Sequence, residues 1–328
     1  MGSYMAKWLT PLLIVLGLSI LATPTIKAQT YPDRPIKLVV PYAPGGGTDV
    51  TARLIAKMLT SSFSQPVSVE NKAGAGGIIG QESVARALPD GYTLLFSAAG
   101  PLTISPFTYP SLPYDPVKSF EPIILVSSQP LVLVVNADSK IYTLVDLLKA
   151  SFDSKKGLTY GSFGNGSAAH LAGESFKIAT KIDMTHIPYK GTSPALTALL
   201  GGDIDMLFDT VSTSAPFIKS GKLRALAVTS KNRSALFPDV PTMAQAGLSG
   251  FEAGTWYGML APAGTNPKII QQINRAVNSG LKNKEIADVF TSEGSVVIGG
   301  TPEQFKNFMA AELKRNEVIV KAAGITSN

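Results

Sequence analysis

Pro41-Tyr42-Ala43-Pro44-Gly45-Gly46-Gly47-Thr48-Asp49 joins two unlike stretches of chain. Before it, Ile36–Val40 is a short β-branched run of the kind that forms a covered strand. After it, Val50, Leu54, Ile55, Met58 and Leu59 recur at helical spacing, with Thr48 and Asp49 at the start. A glycine-rich turn between strand and helix leaves the first helical N–H groups unpaired and accessible, with about half a positive charge from the aligned peptide dipoles. Glycine removes the Cβ that would hold an anion away. Such a turn binds carboxylate or phosphate without an arginine.

The same design recurs twice downstream. Asn71-Lys72-Ala73-Gly74-Ala75-Gly76-Gly77 follows the apolar run 67–69, and Gly161-Ser162-Phe163-Gly164-Asn165-Gly166-Ser167 precedes Ala168, Leu171, Ala172 and Phe176. A weaker case is Tyr189-Lys190-Gly191-Thr192-Ser193 before Leu196 and Leu200. Any one of these is more often just a tight connection. Three at successive strand ends point to a shared crevice, where ligands of open α/β sheets sit. None is a nucleotide fingerprint: Gly74, Gly76, Gly77 and Gly80 miss the dinucleotide spacing by one residue, and the Walker pattern is absent.

Strands are expected at Ile36–Val40, 67–69, 93–96, 123–126, 131–135, Met184–Pro188, 204–208, Leu223–Val228 and 257–260. Helix starts are written at Thr143 with Asp146, Asn266-Pro267, and Thr301-Pro302 with Gln304. Alternation of the two predicts parallel α/β sheets. The stretch 100–120, with Pro101, Pro106, Pro110, Pro113 and Pro116, reads as an ordered irregular loop.

Bulk properties bound the function. Lys7, an apolar run over 12–22, Pro24 and a small-residue stretch closing at Ala28 have the layout of a cleavable export signal over residues 1–28. That run is shorter than the roughly 20 residues of a spanning helix, so an exported protein without a membrane anchor is expected. The chain has no cysteine, which excludes disulfides, thiolate metal sites, a cysteine nucleophile and a lipid-acceptor cysteine. With 328 residues at 45% hydrophobic composition, two domains with packed cores are expected. The formal charge of +6 includes Lys7 and Lys27, and the basic residues are scattered, without the stripe of a nucleic-acid binder.

Asp49 suits a ligand contact and a helix cap equally. A second ligand carboxylate beside it would be repelled, so that end of the ligand is expected to be neutral, amino-bearing or water-bridged. His170 and His186 are the only histidines, too few for a metal site. Ser167 and His170 have the spacing of a nucleophile and base, but no Gly-x-Ser-x-Gly elbow surrounds Ser167, and a cap is the better reading. Neither catalysis nor a cofactor is expected. Phe163, Trp256 and Tyr257 fit core packing or hinge burial better than a pocket wall, although Phe163 lies inside a glycine loop.

The ordered set of motifs resembles the solute-binding proteins of tripartite tricarboxylate transporters, the Bug family, over nearly the whole chain after Tyr31-Pro32. Its markers are the 41–49 loop, the 71–80 segment, Leu88-Pro89-Asp90-Gly91-Tyr92-Thr93-Leu94-Leu95 and Pro113-Tyr114-Asp115-Pro116. The 161–170 stretch, Pro188-Tyr189-Lys190-Gly191, Leu199-Leu200-Gly201-Gly202 with Asp205 and Asp209, and Pro238-Asp239-Val240-Pro241-Thr242 complete them.

The resemblance implies an α/β, two-lobed periplasmic binding protein (Venus-flytrap) fold with two hinge-crossing strands. Lobe 1 would take residues 29–131 plus 251–328, and lobe 2 residues 132–250. It implies a monomer in the periplasm that closes on a small carboxylate and passes it to a membrane permease. The ligand would be a di- or tricarboxylate, an amino acid or an aromatic acid, held by loop amides and bridging waters. The ligand-binding residues it implies are Tyr42, Ala43, Pro44, Gly45, Gly46, Gly47, Thr48 and Asp49, then Ala73, Gly74, Ala75, Gly76, Gly77 and Ser97. From the second lobe come Ser162, Phe163, Gly164, Gly166, Ser167, His170, Tyr189, Lys190, Gly191 and Asp209. A ligand-loaded sensor acting on a signalling receptor, and more remotely an exported serine hydrolase on Ser167 and His170, are the alternatives.

Overall fold

The computed structural model describes residues 31–326 apart from Lys155 and Glu293. The export signal expected over residues 1–28 lies outside the described residues. In chain order the elements are β1 (Ile36–Val40), α1 (Gly47–Phe63), β2 (Val67–Asn71), α2 (Ile78–Ala85), β3 (Thr93–Ala98), α3 (Ser105–Thr108) and β4 (Phe120–Asn136). There follow α4 (Leu144–Asp153), β5 (Leu158–Ser162), α5 (Ala168–Thr180), β6 (Met184–Pro188), α6 (Thr192–Gly201), β7 (Met206–Thr210), α7 (Val211–Lys219) and β8 (Leu223–Val228). The chain ends with β9 (Gly254–Pro262), α8 (Pro267–Leu281), α9 (Lys284–Ser292), β10 (Val296–Val297) and α10 (Pro302–Ala323).

The helix starts follow the sequence signals. Thr143 and Asp146 form a reciprocal capping box at α4, as do Thr301 and Gln304 at α10, and Asn266 caps α8 ahead of Pro267. Each pairs backbone N–H groups that the first turn leaves without partners.

One long strand organises the sheet. Residues 120–130 of β4 pair antiparallel with β9, in a set ordered β2-β1-β3-β9-β4. Residues 131–136 of the same strand pair antiparallel with β7 and β8, in a set ordered β4-β7-β5-β6. The sequence reads as two strands, 123–126 and 131–135, because Ser127, Ser128, Gln129 and Pro130 interrupt the apolar run. Ser127 and Gln129 are nevertheless buried, where the strand changes partners. The expected parallel sheets are mixed. β1, β2 and β3 are parallel, as are β5, β6 and β7, but β4 and β9 run against their neighbours. Of the two crossing strands expected, only β4 crosses between the sets among the described residues; β9 stays within the first, and the return from β8 to β9 over 229–253 is not a strand.

Thr229 ties the return path, which leaves β8 and re-enters the first set at β9, to the β4 crossing. Its hydroxyl accepts from Leu131 N–H at 2.8 Å and lies 2.5 Å from the Ala253 carbonyl, while its N–H donates to Leu131 O at 2.9 Å. The apolar faces of both sets are packed by helices in a buried core that includes Leu38, Leu94, Ile123, Leu133, Phe176 and Phe208.

The proline-rich stretch departs in part from the expected irregular loop. Gly100–Ile104 forms a π-helical turn that runs into α3, and only 109–119 is irregular. Pro101 and Pro106 stand at first-turn positions, where a missing N–H costs nothing. No helix among the described residues is long and apolar enough to cross a membrane.

Thr229→Val deletes the hydroxyl and leaves Leu131 N–H and the Ala253 carbonyl short of a buried partner. It is expected to lower the unfolding free energy by about 1–3 kcal/mol in urea denaturation, with an unchanged slope.

Candidate functional site

Three helix N-termini meet where the two strand sets face each other. They belong to α1 (17 residues), α5 (13 residues) and α6 (10 residues). The cavity between them is lined by Tyr42, Gly46 and Thr48 from the first loop, Ala98 and Gly100 after β3, Phe163 and Ala168 from the third loop, Thr192, and Thr255 and Tyr257 of β9. No lysine, arginine, aspartate or glutamate lines it. Its volume is about 20 Å³, room for roughly one water.

The loops touch across this gap. Ala43 N–H donates to the Lys190 carbonyl at 3.2 Å, and Ser193 Oγ donates to the Pro44 carbonyl at 2.9 Å. The second and third loops meet at Gly76 and Gly164. A Cβ on Gly76 would overlap the Asn165 carbonyl oxygen, and one on Gly164 would lie 2.9 Å from the Gly76 Cα. Their φ angles of +64° and +119° also exclude most other residues. Glycine here permits one backbone to lie against another.

Asp49 is turned into its own loop. Oδ2 accepts from Gly45 N–H at 2.9 Å and Arg53 Nε at 2.9 Å, and Oδ1 accepts from Arg53 at 3.0 Å and Asn71 Nδ2 at 2.9 Å. Burial opposes ionisation, but the hydrogen bonds from Arg53, Gly45 and Asn71 hold its carboxyl below the usual range. The guanidinium offsets the charge expected to repel a second ligand carboxylate.

In the third loop, Ser167 caps α5 by accepting from His170 N–H at 3.2 Å. His170 Nδ1 accepts from Gly166 N–H at 3.1 Å, which places the ring's proton on Nε2 and holds the loop. That lone pair therefore serves Gly166 and does not activate Ser167. His170 stacks on His186 with ring centroids 4.0 Å apart, and His186 Nε2 lies 2.6 Å from Ser162 Oγ. Burial pushes His170 down to about 4, and burial with the adjacent ring pushes His186 to about 3.

Of the other residues singled out, Ala73, Gly74, Ala75, Gly76 and Gly77 form the turn ahead of α2 and lie outside the cavity wall, with Gly76 against the third loop. Ser97 is buried on β3 and accepts from Gln81 Nε2. Gly45 and Gly47 flank the cavity-lining Gly46 without being among the lining residues, and Tyr189, whose N–H donates to the Ser162 carbonyl, does not line the cavity. Lys190 offers its carbonyl to Ala43 while its side chain is exposed, and Gly191 is the cap of α6. Asp209 is wholly buried, with Oδ2 accepting from Thr213 and Ser214 at 2.7 and 2.6 Å. Burial pushes it up to about 7.

Ala98, Gly100, Ala168, Thr192, Thr255 and Tyr257 line the cavity without having been singled out as ligand contacts. Ala168 follows directly on the third loop and Thr192 lies within the fourth, which is the signal the sequence carries. β9 lies far along the chain and nothing local marks its cavity face. Phe163 and Tyr257 are both buried and cavity-lining, whereas Trp256 faces away, meeting Phe305 and Phe308 edge to face.

Residues 51–325 match the family model described as tripartite tricarboxylate transporter family receptor. Protein BugT of Bordetella pertussis is 41% identical over 322 residues, covering 96% of this chain and 98% of BugT. Among solved structures, the periplasmic binding protein BugD is 36% identical with a TM-score of 0.87, covering 91% of this chain and 100% of BugD. R. palustris Rpa4515 with adipate is 33% identical with a TM-score of 0.88, covering 90% and 99%. MatC from Rhodopseudomonas palustris with bound malate is 32% identical with a TM-score of 0.84, covering 88% and 100%.

The histidine pair sets an acid limit on stability. The unfolded imidazoles take up protons near 6.5, whereas the folded ones resist until about 4 and about 3. Their contribution is therefore full above pH 6.5 and lost as pH falls through that window. Asp209 acts oppositely, since its raised pKa makes the fold gain stability as pH drops below about 7. In urea denaturation, His186→Gln is expected to lose less stability than the wild type between pH 7 and pH 4. Parallel losses would contradict the assignment.

Proposed function

Because the chain belongs to the tripartite tricarboxylate transporter receptor family, as a Bug-type solute-binding protein on the two-lobed periplasmic binding fold, we propose that it captures a small carboxylate in the periplasm and presents it to a membrane permease. The family and its structural neighbours are solute-binding proteins, not enzymes. The observation that supports the carboxylate is the convergence of α1, α5 and α6 on one cavity without any side-chain cation. Three N-termini of about half a charge each balance one carboxylate and part of a second. Adipate and malate in the related structures fit that reading.

Tyr42, Gly46, Thr48, Phe163, Ala168, Thr192, Thr255 and Tyr257 form the binding wall in this reading. Gly76 and Gly164 let the jaws meet. Lobe 1 is 29–131 with 251–328, and lobe 2 is 132–250. A dicarboxylate needs more than the present 20 Å³, so binding begins from a more open arrangement and the ligand selects a closed one. With Asp49 engaged by Arg53, no free carboxylate faces the cavity to receive an ammonium group, which favours acids without an amino group over amino acids.

Isothermal calorimetry with malate, adipate, citrate, benzoate and aspartate tests this. Saturable binding of at least one of the non-amino acids is expected, with Gly76→Val weakening it at least about tenfold by holding the loops apart. No heat from any acid, or equal affinity in Gly76→Val, would contradict the proposal.

A further inference from the structure

We propose that Gln129 is a positioning residue that couples the ligand cavity to the angle between the two halves, through a side-chain relay from Tyr257 to Gln129 to Ser212. The relay rests on the ligand-binding reading above and adds to it the means by which an occupied cavity is sensed at the hinge.

Gln129 is buried, one residue before Pro130, where β4 stops pairing with β9 and starts pairing with β7. Its carboxamide touches three hydroxyls. Nε2 donates to Tyr257 Oη at 2.6 Å, and Oε1 accepts from Ser212 Oγ at 3.3 Å and Ser295 Oγ at 3.4 Å. Tyr257 is part of the cavity wall. Ser212 lies in the first turn of α7, in the second half, while Ser295 lies beside β10, which pairs with the first-half part of β4. One side chain therefore joins the ligand wall to both halves. Exchanging the amide's oxygen and nitrogen would keep all three links, because each hydroxyl both donates and accepts.

The first turn of α1 closes over this relay. A Cβ on Gly47 would lie 2.5 Å from Tyr257 Oη and 3.2 Å from both Gln129 Nε2 and Thr210 Oγ1. Only glycine at Gly47 lets the helix start and the relay occupy the same place. A Tyr257 hydroxyl that accepts from Gln129 has its proton available for a carboxylate in the cavity. Engaging that proton fixes Oη, which orients the carboxamide toward Ser212. Rotation about the 130–131 crossing would separate Ser212 from Gln129, but would leave Tyr257 and Ser295 in place. The Ser212 bond is thus the link that reports lobe angle, and its loss, which leaves Oε1 with Ser295 alone, disfavours the open state.

The chain has no native cysteine, so a spin-label pair at Lys57→Cys on α1 and Lys149→Cys on α4 reports the distance between halves by double electron–electron resonance. Without ligand, Ser212→Ala and Gln129→Met are expected to give longer and broader distances than the labelled wild type. Ser295→Ala, which removes a partner of the same oxygen from the first half, leaves the distribution unchanged. A role in folding alone would not separate the two serines. With malate, Gln129→Met is expected to bind about tenfold more weakly than the wild type. Distributions of Ser212→Ala that superimpose on the wild type, or equal shifts for both serine variants, would overturn the relay. The ligand-free distances decide it even if no tested acid binds, an outcome that would instead remove the carboxylate reading.

Discussion

Two halves of one chain meet here through backbone, and everything at the site depends on that closeness. An unpaired N–H reaches an anion only if no side chain stands between them. Gly76 and Gly164 are packed so tightly that the neighbouring loop occupies the space of a Cβ. Such contact brings the starts of α1, α5 and α6 to one small cavity. Recognition by backbone dipoles is what the proposed carboxylate reading asks of this geometry. The donors are fixed by the fold, need no flexible charged side chain to be ordered, and lose little rotamer entropy on binding.

The same geometry explains why closure is suited to reversal. Among the described residues the loops are joined across the gap by single hydrogen bonds, from Ala43 to Lys190 and from Ser193 to Pro44. Each is of a type worth about 1 kcal/mol net. A contact of that size leaves the balance between open and closed arrangements open to adjustment by a ligand touching both halves. In the proposed closure β4 would confine the motion, since a continuous strand shared between two pairing partners permits bending but not dissociation. Thr229 holds the return path against the β4 crossing.

Much of this was legible in the residues. The glycine loops, the capping boxes at Thr143 and Thr301 and the proline start at Asn266 all act locally, so their reading needs no tertiary information. Asp49 was open between cap and ligand contact because its partners include Asn71, brought near only by the pairing of β1 with β2. Gln129 looked like part of a break between strands. Its burial comes from Tyr257, Ser212 and Ser295, all distant in sequence. Ala98 and Thr255 are small residues whose place in the wall depends on which sheet face meets the second half. No local spacing encodes that choice.

Backbone amide NMR during a malate titration addresses the mode of recognition directly. The N–H resonances of Gly46, Ala168 and Thr192 should move together and saturate with one affinity, since these helix starts come from both halves. Saturable binding that leaves those three amides unmoved would place the ligand elsewhere and contradict recognition by converging helix N-termini.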